Sequence, residues 1–289
     1  MITAKIAMLP DRGVVSVTGE DAAKLLTGLI TNDIDRLDEA SALFAALLSP
    51  QGKILFDFLV VRTEAGFLLD VARDKAADLV KRLMMYRLRA RAEIRDVSET
   101  HAVLASWGGD PPLRDGAKFA DPRNPALGHR ALMPATSRPA QFIADAIVYQ
   151  VHRIALGVPE GGKDYDFGDA FPHEANFDLV HGVSFDKGCY VGQEIVARME
   201  HRGTVRKRIA RVTGTSDLPE MRADVMMGDV VIGKLGSVAG RMGLAMLRLD
   251  RVIEAIDRSV PITAAGIALE IDADMIARQR KLMADKATP

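Results

Sequence analysis

Lys187-Gly188-Cys189-Tyr190-Val191-Gly192-Gln193-Glu194, running on through Ile195-Val196-Ala197-Arg198, holds the chain's one cysteine between two glycines, with a basic residue at either end. Glycines at this density let the backbone take positive φ and approach a neighbour closely. From Val191 onward the apolar residues Val191, Ile195, Val196 and Met199 recur at helical spacing, so a helix is expected to begin near Gly192. Cys189 then lies in the turn leading into a helix N-terminus, where free N–H groups favour a thiolate, and Lys187 acts in the same sense. A buried structural cysteine is the plain alternative. The glycines and flanking charges favour an accessible, reactive thiol.

Outward from this stretch, 289 residues suffice for two or three lobes, and 48% apolar with 27% charged residues is ordinary for a globular chain. A net charge of -1 supplies no global field for nucleic acid, so no direct nucleic-acid partner is expected. One basic strip stands out: Arg198, His201, Arg202, Arg206, Lys207 and Arg208, suited to a solvated face, an acidic partner or a polyglutamyl tail. A single cysteine excludes an internal disulfide. No apolar run approaches a membrane span, and the first residues resemble neither a secretion signal nor a transit peptide, so a bacterial cytoplasmic protein is expected.

Alternation predicts strands at Val14–Val17, Leu43–Leu48, Ile54–Val61, Phe67–Val71 and Arg91–Val97, with His101–Trp107 pairing with the last of these. Helical spacing predicts helices from Glu20, over Asp74–Leu88 (Ala76, Leu79, Val80, Leu83 and Tyr86 inward), and over Phe142–Leu156 (Ile143, Ile147, Val151 and Ile154 inward) with Gly157 as C-cap. Six of thirteen prolines fall between Gly108 and Pro139, which reads as a long ordered loop or an inter-lobe connection. Gly-bounded runs at Lys207–Thr213, Asp229–Lys234, Gly243–Leu247 and Ile267–Ile271 suit a small barrel, followed by a helix over Asp274–Met283.

Candidate chemistry begins with carboxylates. Glu174 and Glu194 lie in Pro- or Gly-marked segments, and Asp57 interrupts an apolar strand, where it must face solvent, a partner or a cleft. His152, His173, His181 and His201 show no zinc-ligand spacing, so no stably bound metal is expected. One thiolate is too few for an iron–sulfur cluster, so Cys189 is at most a ligand shared with a partner or a small molecule.

Lys187-Gly188-Cys189-Tyr190-x-Gly192-Gln193-Glu194 followed by Val196-Ala197-Arg198 resembles the signature of the YgfZ family, folate-binding relatives of the glycine-cleavage T-protein. Gly19-Glu20-Asp21-Ala22, Leu48-Ser49-Pro50-Gln51-Gly52-Lys53, Asp121-Pro122-Arg123, Pro172-His173-Glu174-Ala175-Asn176 and Gly182-Val183-Ser184-Phe185 extend the resemblance along the chain. The Gly-Val-Pro-Glu-Gly run from Gly157 resembles the mitochondrial branch.

The resemblance implies an α+β fold: a T-protein-like three-lobed ring with ferredoxin-like sheet/helix lobes and a C-terminal small β-barrel. Its implied division is 1–45 with 108–200 as the folate-binding lobe, 46–107 as a ferredoxin-like lobe and 201–289 as the barrel. It also implies a role in [4Fe–4S] assembly or repair that indirectly supports tRNA modification, with A-type iron–sulfur carriers as partners and radical iron–sulfur enzymes further downstream. Cys189, Lys187, Gln193, Glu194 and Arg198 are the implied chemical site. Gln51, Lys53, Asp57, Arg153, Glu174, Asn176 and Tyr190 are the implied contacts to tetrahydrofolate or a related folate. Two departures weaken the folate fit: Phe56-Asp57 replaces an adjacent pair of aspartates, and Ala155 stands where the T-protein has its pterin-gripping glutamate. A tetrahydrofolate-dependent aminomethyltransferase and a redox sensor are the alternatives.

Overall fold

The computed structural model describes residues 4–37, 42–109, 116–137, 139, 144–203 and 205–287. They form two compact units, one of residues 1–149 with 177–195 and the other of 150–176 with 196–289.

The first unit opens with strand β1 (Lys5–Met8), β2 (Arg12–Thr18) and helix α1 (Ala22–Thr27), followed by β3 (Ala42–Leu48), β4 (Ile54–Thr63) and β5 (Gly66–Ala72). Helix α2 (Ala76–Arg87), β6 (Glu93–Asp96), β7 (His101–Trp107), β8 (Ala117–Ala120) and β9 (His129–Pro134) follow. An antiparallel sheet in the order β3-β4-β5-β2-β6 turns one face to α1 and α2. Val15, Val17, Ala45, Leu47, Phe56, Phe58, Val60, Leu69 and Val71 alternate onto that face and meet Leu25, Leu26, Leu79 and Leu83 of the helices. The period of two on the strands and of 3.6 on the helices, both visible in the sequence, thus build one core.

Several expectations are corrected here. His101–Trp107 pairs not with β6 but with β1 and β9, in a second sheet ordered β1-β7-β9-β8. The chain leaves the first sheet at Val97, whose N–H donates to Val14 O at 2.8 Å, and turns at Ser98, whose Oγ accepts from Val14 N at 3.0 Å. The supposed loop from Gly108 to Pro139 contains β8 and β9, because its described prolines fall in the connecting turn, at the end of β9 or beyond it, and cost the ladder nothing. Pro111 and Pro112 lie outside the described residues.

Helix α3 (Ala146–Ala155) buries Ile154 as expected but is otherwise rotated: Ile147 and Val151 are 69% and 39% exposed, whereas Tyr149 and Arg153 are buried. Phe142 and Ile143 lie outside the described residues. The buried face was hidden because it carries polar groups that charge networks satisfy. Gly157 ends the helix with φ +71°, and Val158 N–H donates back to Arg153 O at 3.2 Å.

The other face of the five-stranded sheet carries Asp57 and Asp70, and ions join it to the second sheet. Arg12 Nε donates to Asp70 Oδ1 at 2.6 Å and Arg130 Nη1 to Asp70 Oδ2 at 3.0 Å. Arg123 grips Asp121 with two bonds of 2.9 and 2.7 Å, and Arg130 Nη2 donates to Tyr149 Oη at 2.8 Å. Burial raises the Asp121 carboxyl, but Arg123 and Arg130 overcome it and hold the group below its ordinary value.

The second unit receives α4 (Gln193–Arg202), of which residues 193–195 belong to the first. It then forms β10 (Lys207–Gly214), β11 (Asp224–Met227), β12 (Val230–Ala239), β13 (Met242–Arg248), α5 (Leu249–Asp257), β14 (Ile262–Ala264), β15 (Ile267–Ile271) and α6 (Ala273–Ala287). The six strands close in the order β10-β13-β12-β11-β14-β15 around Val212, Val225, Leu235, Ala245 and Leu247, with Val252 and Ala255 of α5 packed in. Closure leaves no free sheet edge.

Asp70→Asn should destabilise the protein by about 3–5 kcal/mol, because it removes the buried carboxylate that Arg12 and Arg130 both engage. Urea denaturation of the variant against the parent checks this.

Candidate functional site

The cysteine loop is organised from its lysine. Lys187 points inward: its Nζ donates to Thr27 O at 2.8 Å, Ile30 O at 2.8 Å and Asn32 O at 2.9 Å. These carbonyls belong to the end of α1 and the turn after it, where the helix leaves acceptors unpaired and its dipole favours a cation. The ammonium also lies 5.1 Å from the centre of the Tyr190 ring. Burial lowers the Lys187 amine to about 8 against the pull of Asp33 and Asp35, and burial pushes the Tyr190 hydroxyl up to about 12. Lys187 therefore anchors the loop, a role that its nearness in sequence to Cys189 did not suggest.

The segment before the loop is pinned by Thr31 and Asn32. Thr31 Oγ1 donates to Gly182 O at 2.6 Å and accepts from Ala46 N at 2.9 Å. Asn32 Nδ2 donates to Phe44 O at 2.8 Å and to His181 O at 2.7 Å, and Ser184 N–H donates to Thr31 O at 2.9 Å. The Phe44 ring meets Phe177 at 4.5 Å, and the Arg123 guanidinium sits 5.5 Å from the Phe44 ring centre. None of these residues was singled out from the sequence as functional. The Thr31-Asn32-Asp33 run was visible only as a helix terminator, because its partners Gly182 and His181 lie about 150 positions away.

The two glycines around the cysteine do different work. Gly192 has φ +82°, and a Cβ there would stand 2.6 Å from Ser49 O and 3.1 Å from Gly52 Cα. Gly52, at φ +78°, would likewise collide with Ile195. The Ser49–Gly52 turn and the start of α4 thus touch backbone to backbone, bringing Gln51 and Lys53 to the cysteine loop. Gly188 has open space around it, and Cys189 is exposed. The loop is clamped at both ends and open in the middle. Gln193 closes the turn, accepting from Tyr190 N at 3.1 Å through its Oε1, while Glu194 is exposed at the start of α4. The helix begins at Gln193, as the apolar spacing predicts, with Cys189 in the segment that leads into it.

Asp57 is 3% exposed on β4, opposite Ala46, so the solvent-facing alternative is excluded. In the second unit Arg153 is fully buried and engaged, donating to Val158 O at 2.6 Å, Asp164 Oδ2 at 2.6 Å and Ser237 Oγ at 2.7 Å. Asn176, at φ +62°, donates to Ile209 O at 2.8 Å. Glu174 Oε2 accepts from Phe171 N at 2.9 Å, and the residue borders a cavity of about 370 Å³ with Tyr165, Lys207, Arg222, Met246 and Arg248. The basic strip loses a member: Arg208 turns inward to donate to His173 O at 2.9 Å, as alternation along β10 requires, whereas Arg198, His201, Arg206 and Lys207 are exposed. The side chain of Arg202 lies outside the described residues.

A mixed α/β unit joined to a closed six-stranded barrel, with an open cysteine loop, defines an aminomethyltransferase-like scaffold of the T-protein kind. Residues 11–111 match the GCVT N-terminal domain and residues 206–275 the CAF17 C-terminal beta-barrel domain. The crystal structure of the glycine cleavage system aminomethyltransferase T from Bartonella henselae superposes over 94% of this chain and 86% of its own, with a TM-score of 0.74 at 14% identity, a likeness of fold.

The chain belongs to the family of the iron–sulfur cluster assembly factor IBA57. It is 37% identical to the mitochondrial homolog of Mycosarcoma maydis, over 89% of this chain and 77% of that one. To the mitochondrial IBA57 of Homo sapiens it is 33% identical, over 84% and 77%. These relatives overturn the expectation of a bacterial cytoplasmic protein, since their names place them in mitochondria.

Lys187→Met keeps the stem and removes the donors, and should cost about 2–4 kcal/mol by leaving buried carbonyls unsatisfied. The lowered folded-state value also gives a pH signature. An unfolded lysine holds its proton to about pH 10.4, so between that value and about 8 the unfolded chain binds the extra proton. The stability contributed by this group therefore rises with pH across that window and falls as pH drops through about 8. Denaturation of parent and Lys187→Met across the window should show this slope in the parent alone.

Proposed function

We propose that the protein assists [4Fe–4S] assembly by offering Cys189 Sγ as a single ligand to a cluster carried by another protein. The observation that carries this reading is the exposed thiol on a loop whose two ends are fixed, by the Lys187 cradle and by the Gly192–Gly52 contact. A fixed loop presents the sulfur without having to order itself when the partner arrives. The thiol loses its proton to solvent and gives an electron pair to iron, and the remaining ligands come from the carrier or a small thiol. Relatives named as iron–sulfur cluster assembly factors support a role in cluster assembly. In this reading A-type carriers are the partner class, and radical enzymes of tRNA modification lie downstream.

Cys189→Ser should leave folding stability within about 0.5 kcal/mol, since the side chain is exposed. The same variant should fail to restore cluster-dependent enzymes in a deletion strain. Full complementation, or a native thiol that resists alkylation, removes cluster chemistry from Cys189.

Folate contact in this reading is weak. Position 155 offers no carboxylate to the pterin edge, and Arg153 is held by Asp164 and Ser237. Gln51, Lys53 and Asp57 remain as the proposed contacts on the first unit, and Glu174, Asn176 and Arg153 serve the loop architecture of the second. Calorimetry with tetrahydrofolate should return a dissociation constant above about 10 μM. A glycine-cleavage assay with lipoyl carrier should show no methylene transfer above background. Nanomolar binding, or turnover abolished by Asp57→Asn, restores the aminomethyltransferase alternative.

A further inference from the structure

Residues 81–91, reading KRLMMYRLRAR, hold five basic side chains and no acid in a chain whose net charge is -1. They form the last turns of α2 and the segment after it. The helix buries Ala76, Leu79 and Leu83 in the first unit's core, and its far side ends in Met84, Met85 and Leu88, which are 41%, 67% and 84% exposed. Met84 and Met85 are neighbours in the last turn of α2, and Leu88 follows directly after the helix ends. Leu88 stands at φ +45°, a conformation that bulky residues seldom adopt, with its side chain in water. Around this apolar tip Lys81 pairs with Asp78, and Arg91 with Glu20 and Asp21. Arg82 and Arg89 pair with no carboxylate among the described residues.

We propose that the end of α2 is a docking surface for an acidic protein. Met85 and Leu88 enter a shallow apolar socket on the partner, and its carboxylates pair with Arg82 and Arg89. Methionine and arginine are enriched in protein interfaces and lysine is depleted, and four of the five bases here are arginine. A second copy is disfavoured, since a two-fold contact would set the same arginines against each other. A membrane surface is disfavoured too, because only the last turn is free while the rest of the apolar face lies in the core. The patch is independent of the Cys189 reading.

The test places a benzoylphenylalanine photocrosslinker at Met85 of the full chain in its native cell, with Glu220 on the barrel unit as control site. Crosslinked peptides are mapped, and the identified protein is purified for calorimetry. The expected result is one adduct, specific to Met85, on an Asp- and Glu-rich surface. Its affinity should fall at least about tenfold in Met85→Glu/Leu88→Glu and in Arg82→Ala/Arg89→Ala, and fall with added salt, while the variants keep the parent's circular dichroism. Four results overturn the proposal: labelling no stronger than at Glu220, an adduct only with a second copy, variants that bind as well as the parent, or flotation of the parent but not the glutamate variant with phosphatidylcholine–cardiolipin vesicles in place of a protein adduct.

Discussion

An ammonium held by three backbone carbonyls is the contact on which the cysteine loop depends. Lys187 carries donors to Thr27, Ile30 and Asn32, which otherwise end α1 with acceptors buried and unpaired. The same bond set fixes where residue 187 lies, and Gly192 fixes where the loop ends by fitting against Ser49 and Gly52. Between those points only Gly188 and Cys189 are free of close packing. Position and accessibility are separated between neighbours: burial goes to the lysine and tyrosine, exposure to the cysteine.

A second constraint is the ionic layer between the two sheets of the first unit. Arg12, Asp70, Arg130, Asp121 and Arg123 are all buried, and Tyr149 accepts from Arg130. Desolvating so many charges contributes little net stability, and replacement by apolar residues of similar shape is often neutral. What such a layer supplies is register: a guanidinium that must meet two carboxylates tolerates little sliding of one sheet over the other. Arg123 also faces the Phe44 ring, whose backbone carbonyl accepts from Asn32, so this layer continues into the frame of the cysteine loop.

Local periodicity made most of the strands and helices legible. The helix packing of the first sheet and the barrel could be read from the spacing of Leu79 and Leu83, or from the Gly-bounded runs after Lys207, because burial there follows apolar pattern. The second sheet escaped detection where prolines crowd the turns around short strands. The inward face of α3 escaped for the opposite reason: Tyr149 and Arg153 are polar at the tip and buried by their partners, which no window of adjacent residues reveals. At the site the motif identified the cysteine, while Thr31 and Asn32 stayed hidden because their bonds to Gly182 and His181 close loops of about 150 residues.

The distance in sequence between Lys187 and its acceptors has a consequence for synthesis. The last segment of the first unit, residues 177–195, follows residues 150–176 of the second. While the ribosome is still making those residues, the carbonyls of Thr27, Ile30 and Asn32 have no partner, and the nascent unit waits through some 160 residues of translation for the side chain that completes it. Long loops close slowly relative to local contacts. A premature stop anywhere before Lys187 therefore yields an N-terminal unit with water, or a chaperone, where the lysine belongs.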